Sequence, residues 1–110
     1  MPDASGTAAY QNLEQRFRRI ALLGEAEAVL HWDYATIMPE GGAEARAEQL
    51  AELKAIQHGI LTSPETADLL SAVDADKDAL PAGETANLRE MKRRLHRAEA
   101  LDEEFVTRLS

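Results

Sequence analysis

The sequence predicts an all-α fold: a long antiparallel helical hairpin followed by shorter helices. Three observations carry that expectation. Ala, Leu and Glu dominate while aromatic residues make up only 5%, and such residues lose little conformational freedom in a helix. Apolar residues recur at steps of three and four, the period of one buried helical face. No stretch alternates as a strand would, and there is no internal repeat or low-complexity tract. With 110 residues, 45% of them hydrophobic, the chain can bury a core but has little room for a second domain. Residues 1–110 are therefore expected to form a single helical domain, or a fragment of a larger one.

The first helix is expected over about 7–34. Tyr10, Leu13, Phe17, Ile20 and Gly24 form its buried stripe, and Arg16, Arg18 and Arg19 lie off it, toward solvent. Leu22, Leu23, Ala26, Val29 and Leu30 add a second apolar face, so this half is expected to be buried on more than one side. Ala21, Gly24 and Ala28 would let another helix approach closely. Pro39 disfavours helical geometry at Met38, and with Gly41 and Gly42 it should turn the chain. A second helix over about 43–61 then carries Leu50, Leu53, Ile56 and Ile60. The short link makes the pair antiparallel.

Thr62-Ser63-Pro64-Glu65 is a helix start: Ser63 caps, Pro64 takes the first helical position, and Glu65 complements the positive end. The third helix is expected over 64–73, followed by a solvated loop over 74–83. A fourth is expected over 84–99, with Leu88, Met91, Leu95 and Ala98 inward. Asp102 resembles a cap, which predicts a fifth helix over 102–110 opening with Phe105, Val106 and Leu109.

Composition excludes several chemistries. There is no Cys, hence no disulfide framework, thiolate metal site or cysteine nucleophile. The opening residues lack a basic region followed by an apolar run. The longest apolar run, Ile20–Leu23, is far short of the ~20 residues of a membrane span. A cytoplasmic protein with no membrane partner is the expectation. The net charge of −8 argues against nucleic acid. It is unevenly spread: residues 22–83 hold 12 acids against 3 cations, and residues 84–100 hold 5 cations against 3 acids.

No constellation of catalytic groups stands out. His31, His58 and His96 are not in an HExxH helix. Glu27 and His31 share a helical face but make only half a metal site. The serines lack a nucleophile-elbow setting, and Gly41-Gly42 lacks the lysine and strand of a phosphate loop. Glu40, Glu44, Glu48 and Glu52 repeat every fourth residue, as a solvated face does; the alternative is a surface for a cationic partner. Arg89, Lys92, Arg93, Arg94 and Arg97 form the main basic feature, either a solvated face or a patch for an acidic surface. The least ordinary segment is Leu30-His31-Trp32-Asp33-Tyr34-Ala35-Thr36-Ile37-Met38-Pro39. Its plain reading is structural. Trp32 and Tyr34 would pack the mouth of the hairpin, and Asp33 or Thr36 would satisfy backbone donors in the turn.

That segment also carries a resemblance. Tyr10-Gln11-x-Leu13-Glu14, Leu30-His31-Trp32-Asp33, Thr36-x-Met38-Pro39 and the run Gly42 to Leu50 with Arg46-x-x-Gln49 resemble the N-terminal region of the carboxypeptidase Taq family of zinc metallocarboxypeptidases. Thr62-Ser63-Pro64-Glu65 and Ala86-Asn87-Leu88-Arg89-Glu90 fit the same order. The resemblance implies an all-helical fold, several times longer than this chain and usually homodimeric. It further implies release of single residues from peptide C-termini by a zinc held on an HExxH helix and a downstream Glu, with the HExxH Glu as general base. None of those residues is present here, so no catalytic or metal ligand is carried over. His31, Trp32, Asp33, Met38, Pro39, Arg46 and Gln49 are family-motif residues with an expected structural role.

The implied function is an N-terminal helical segment, part of the wall or cap of a substrate groove and of the assembly, inactive by itself. Its implied partners are the remainder of the parent polypeptide, which would hold the zinc and meet the peptide substrate. The apolar Ile20–Leu30 surface adds an expected homo-oligomer. The competing reading is a stand-alone helical adaptor that binds through its acidic second and basic fourth helices.

Overall fold

In the computed structural model the described residues are 4–36 and 42–109, with side chains described for 8–33 and 42–108. Four helices follow one another: α1 (Ala4–Thr36), α2 (Ala43–Leu61), α3 (Pro64–Ala75) and α4 (Ala82–Leu109), with a 3-10 turn at Lys77–Ala79. No strand occurs among the described residues, and the fold is all-α. The expected turn at Pro39 and Gly41, together with Met38, lies outside the described residues.

α1 and α2 are antiparallel. Asp33 pairs with Arg46, and Glu27 with Gln57 and Lys54, so residue numbers fall along one helix as they rise along the other. α1 and α4 instead run parallel: Asn87 donates to the Tyr10 hydroxyl, and the Arg94 guanidinium stands over the Phe17 ring. α3 fills the space beside the first half of α1.

The core lies where these three helices meet. Tyr10, Leu13, Phe17 and Ile20 from α1 pack with Leu70 and Val73 from α3 and Leu88, Met91 and Leu95 from α4. These α1 and α4 residues are the stripes that the three-and-four spacing picks out. The far half of the molecule has no such core. α2 contributes no buried residue, and none is buried on α1 between Leu22 and Asp33.

Several expectations are corrected. The second apolar face of α1 is not covered: Leu22 is 54% and Val29 67% exposed. Trp32 does not close the hairpin mouth, being 58% exposed. Arg16 does not point into solvent. Its Nε donates to Thr66 Oγ1 at 3.0 Å and its Nη2 to Ser63 Oγ at 3.0 Å, with Glu65 3.2 Å away. The stretch after Val73 is not a plain loop, because α3 runs to Ala75 and a 3-10 turn follows. The fourth and fifth helices are one helix of 28 residues. No glycine or proline interrupts Ala98 to Phe105, so helix propensity outweighs the capping preference of Asp102. Its carboxylate meets the His58 ring at 3.0 Å instead.

The α2–α3 corner follows its sequence closely. Ser63 is extended, its side chain accepts from the Thr66 amide, and Pro64 opens α3. Thr66, fully buried, donates its hydroxyl to the Ile60 carbonyl at 2.6 Å. Arg16 thus joins the middle of α1 to both sides of this corner.

Candidate functional site

The motif residues gather at the open end of the hairpin. The Arg46 Nη2 donates to Asp33 Oδ2 at 2.7 Å, and Nη1 donates to the Gln49 side chain. Arg46 Nε is buried and meets no hydrogen-bond acceptor among the described residues. Asp33 therefore does not serve the turn backbone as expected; it anchors α2 to α1. Three of the seven motif residues are brought together in this clasp. His31 and Trp32 stand exposed beside it, and Met38 and Pro39 lie outside the described residues. The spacing Arg46-x-x-Gln49 held the signal for the second contact, because residues three apart on a helix share a face.

Next to the clasp, Leu30, Ala45 and Leu53 floor a groove of about 480 Å³, rimmed by Glu48, Gln49 and Glu52. A second groove of about 590 Å³ lies between α3 and α4. Ala67, Leu70 and Leu95 form its floor, with Arg89, Lys92, Arg93 and His96 along one wall. The basic α4 face is partly neutralised within the molecule. Lys92 Nζ donates to Asp74 Oδ1 at 2.9 Å, and Arg93 pairs with Glu90 at 3.1 Å. The Lys92 hydrogen bond, against a smaller desolvation effect and with the charges of Lys92 and Lys77, holds the Asp74 carboxyl below the usual range. The acidic α2 face and the basic α4 face do not meet.

Neither place holds hydrolytic machinery. No group of three or more His, Cys, Asp or Glu able to hold a metal occurs among the described residues. The Glu27–His31 half-site is taken apart by its neighbours. Glu27 accepts from Gln57 Nε2 at 2.8 Å and lies 3.7 Å from Lys54 Nζ. The 110 residues contain no HExxH, so a zinc of the kind the resemblance implies does not fit onto these side chains.

Comparison with known proteins assigns the scaffold. Residues 12–110 match the family described as carboxypeptidase Taq (M32) metallopeptidase. The chain is 34% identical over 106 residues to thermostable carboxypeptidase 1 of Thermus thermophilus, covering 94% of this chain and 21% of that protein. It is 30% identical over 95 residues to thermostable carboxypeptidase 1 of Pyrococcus furiosus, covering 86% and 19%. The solved structure of Trypanosoma cruzi metallocarboxypeptidase 1 superposes with a TM-score of 0.85 at 34% identity, over 92% of this chain and 20% of that one. Sequence and helical fold together place the chain among the metallopeptidases. More particularly, it belongs to the carboxypeptidase Taq (M32) family. It spans about a fifth of the length of the relatives it matches.

Proposed function

We propose that this chain is the N-terminal helical segment of a zinc-dependent metallocarboxypeptidase that releases C-terminal residues from peptides. In this reading it forms part of the wall or cap of the substrate groove and has no peptidase activity alone. One observation supports it above the others. Nearly all of the chain superposes on a fifth of a metallocarboxypeptidase, while its own side chains offer no metal cluster among the described residues. A fold match by itself establishes no activity, so the reading rests on family membership as well.

In such an enzyme the zinc would supply an activated water, held by residues outside these 110. The contribution of this chain is shape. The Asp33–Arg46–Gln49 clasp fixes the hairpin angle, and the Arg16 junction fixes the corner between α2 and α3.

Two measurements test the proposal. The reading frame should continue past Ser110 into an HExxH helix. The purified 110-residue chain, incubated with zinc and an N-blocked dipeptide, should release no C-terminal amino acid. A stop codon directly after Ser110 would refute the first part. Zinc-dependent release by the 110-residue chain would refute the second.

A further inference from the structure

Beyond the core, the faces by which α1 and α4 meet come apart. Tyr10 lies beside Asn87 and Phe17 beneath Arg94, so the two helices keep one register through the core. Holding that register for three more turns would seat Phe105 on Ala28. Phe105 is instead 63% exposed, and Ala28 is exposed as well. Leu101 beside Phe105, and Leu22 and Val29 beside Ala28, are uncovered too. Among the described side chains, none past Ile20 on α1 or past Ala98 on α4 is buried. The result is a wedge with one apolar wall from each helix, in direct continuation of the α1–α4 packing. Single exposed apolar residues need no explanation, but a contiguous set marks an interaction surface.

The occupant can be argued from charge and length. A net charge of −8 opposes the approach of a second copy. By helical spacing, Glu25 and Glu104 flank the two walls, which suits a partner with basic flanks. The match takes up only 21% of the Thermus protein, so a relative of that length has ample further chain. We propose that the wedge receives an amphipathic helix from further polypeptide of the same metallocarboxypeptidase. Its apolar stripe would sit on Ala28, Val29, Leu101 and Phe105, with lysine or arginine along its edges. This inference rests on the reading of the chain as a segment of such an enzyme.

The chain has no cysteine, so a single introduced thiol reports its own site. Val29→Cys and Phe105→Cys would each be made in the 110-residue chain and in the protein translated from the whole reading frame. Maleimide labelling at each position would be followed by mass spectrometry and normalised to the rate in denaturant. Both thiols should label freely in the short chain and at least about tenfold more slowly in the long one, as burial in a stable interface requires. Equal rates at either position would overturn the wedge and leave the proposed function standing. A stop codon after Ser110 would overturn that reading and the wedge with it. Labelling of the short chain that slows as its concentration rises would give the wedge to a second copy, and would also overturn the inference.

Discussion

At the scale of single residues, the polar contacts hold the helices in register. Thr66 is the clearest case. Its hydroxyl donates to Ile60 and accepts from Arg16, so Thr66→Val keeps the shape and strands both partners. Leaving such groups unsatisfied costs about 1–3 kcal/mol each. We predict a loss of about 2 kcal/mol in urea unfolding; a loss below about 0.5 kcal/mol would mean that water replaces both bonds. Asp33 and Arg46 are only partly exposed, so their ion pair should exceed a surface pair yet stay modest. A double-mutant cycle of Asp33→Asn with Arg46→Met should return a coupling of about 1 kcal/mol, and additivity would show that the clasp does not hold the hairpin. Asp74 makes a prediction about acid. Its carboxyl lies below its ordinary 3.8 because Lys92 donates to it. Between the folded and unfolded values the unfolded chain binds the extra proton, so this stability is present above 3.8 and fades as pH falls through the folded value. Asp74→Asn should therefore lower the urea midpoint slightly at neutral pH and leave it unchanged in strong acid. An equal loss at both pH values would place the effect in packing. None of these partners was legible in the sequence. Arg16 meets Thr66 across 50 residues, and no local spacing encodes that contact.

At the scale of elements, the signals that worked were those in which neighbouring residues decide the outcome. Ser63-Pro64-Glu65 set the start of α3 because a cap, a fixed φ and a favourable charge coincide in one turn. The stripes of α1 and α4 picked out the core because helical period alone selects the buried face. The false break at Asp102 came from weighing one capping residue above its helix-favouring neighbours. Gly24 tests a subtler reading. Small residues were expected to let a second helix approach, and α2 does come close there. A Cβ on Gly24 would meet only the Gln57 Oε1, at 3.3 Å. That atom is the tip of a flexible side chain, so a shift of a few tenths of an ångström relieves it. Alanine gains about 1 kcal/mol over glycine in a helix interior. We expect Gly24→Ala to stabilise the chain by about 0.5 kcal/mol after that adjustment. Destabilisation in thermal unfolding would show that Gln57, held between Glu27 and the Leu53 carbonyl, cannot move and that close packing selects glycine.

At the scale of the whole molecule, the distribution of the core sets the dynamics. The Cα radius of gyration is 17.4 Å, against roughly 13 Å for a compact domain of about 100 residues. The molecule is long and thin, 60 × 36 × 19 Å, because the hairpin reaches beyond the three-helix core and neither α2 nor the last turns of α4 bury a side chain. Stability should divide along that line. Leu13 is fully buried, and Leu13→Ala should cost about 3 kcal/mol through lost transfer energy and the cavity left behind. Leu30 is half-buried in the hairpin, and Leu30→Ala should cost about 1 kcal/mol, because less area leaves water on folding. Native-state hydrogen exchange gives the sharper test, since amides exchange through the cheapest opening available to them. Helical amides at 13–20 and 88–98 should exchange only through global unfolding. Those at 26–33 and 46–54 should exchange through a local opening at least about 2 kcal/mol less costly, and Leu30→Ala should speed the hairpin amides alone. Uniform protection across both halves would mean that the Asp33–Arg46 and Glu27–Gln57 contacts bind the arm into one cooperative unit. A split would show that the hairpin gains its rigidity only when its uncovered apolar faces are met by further protein.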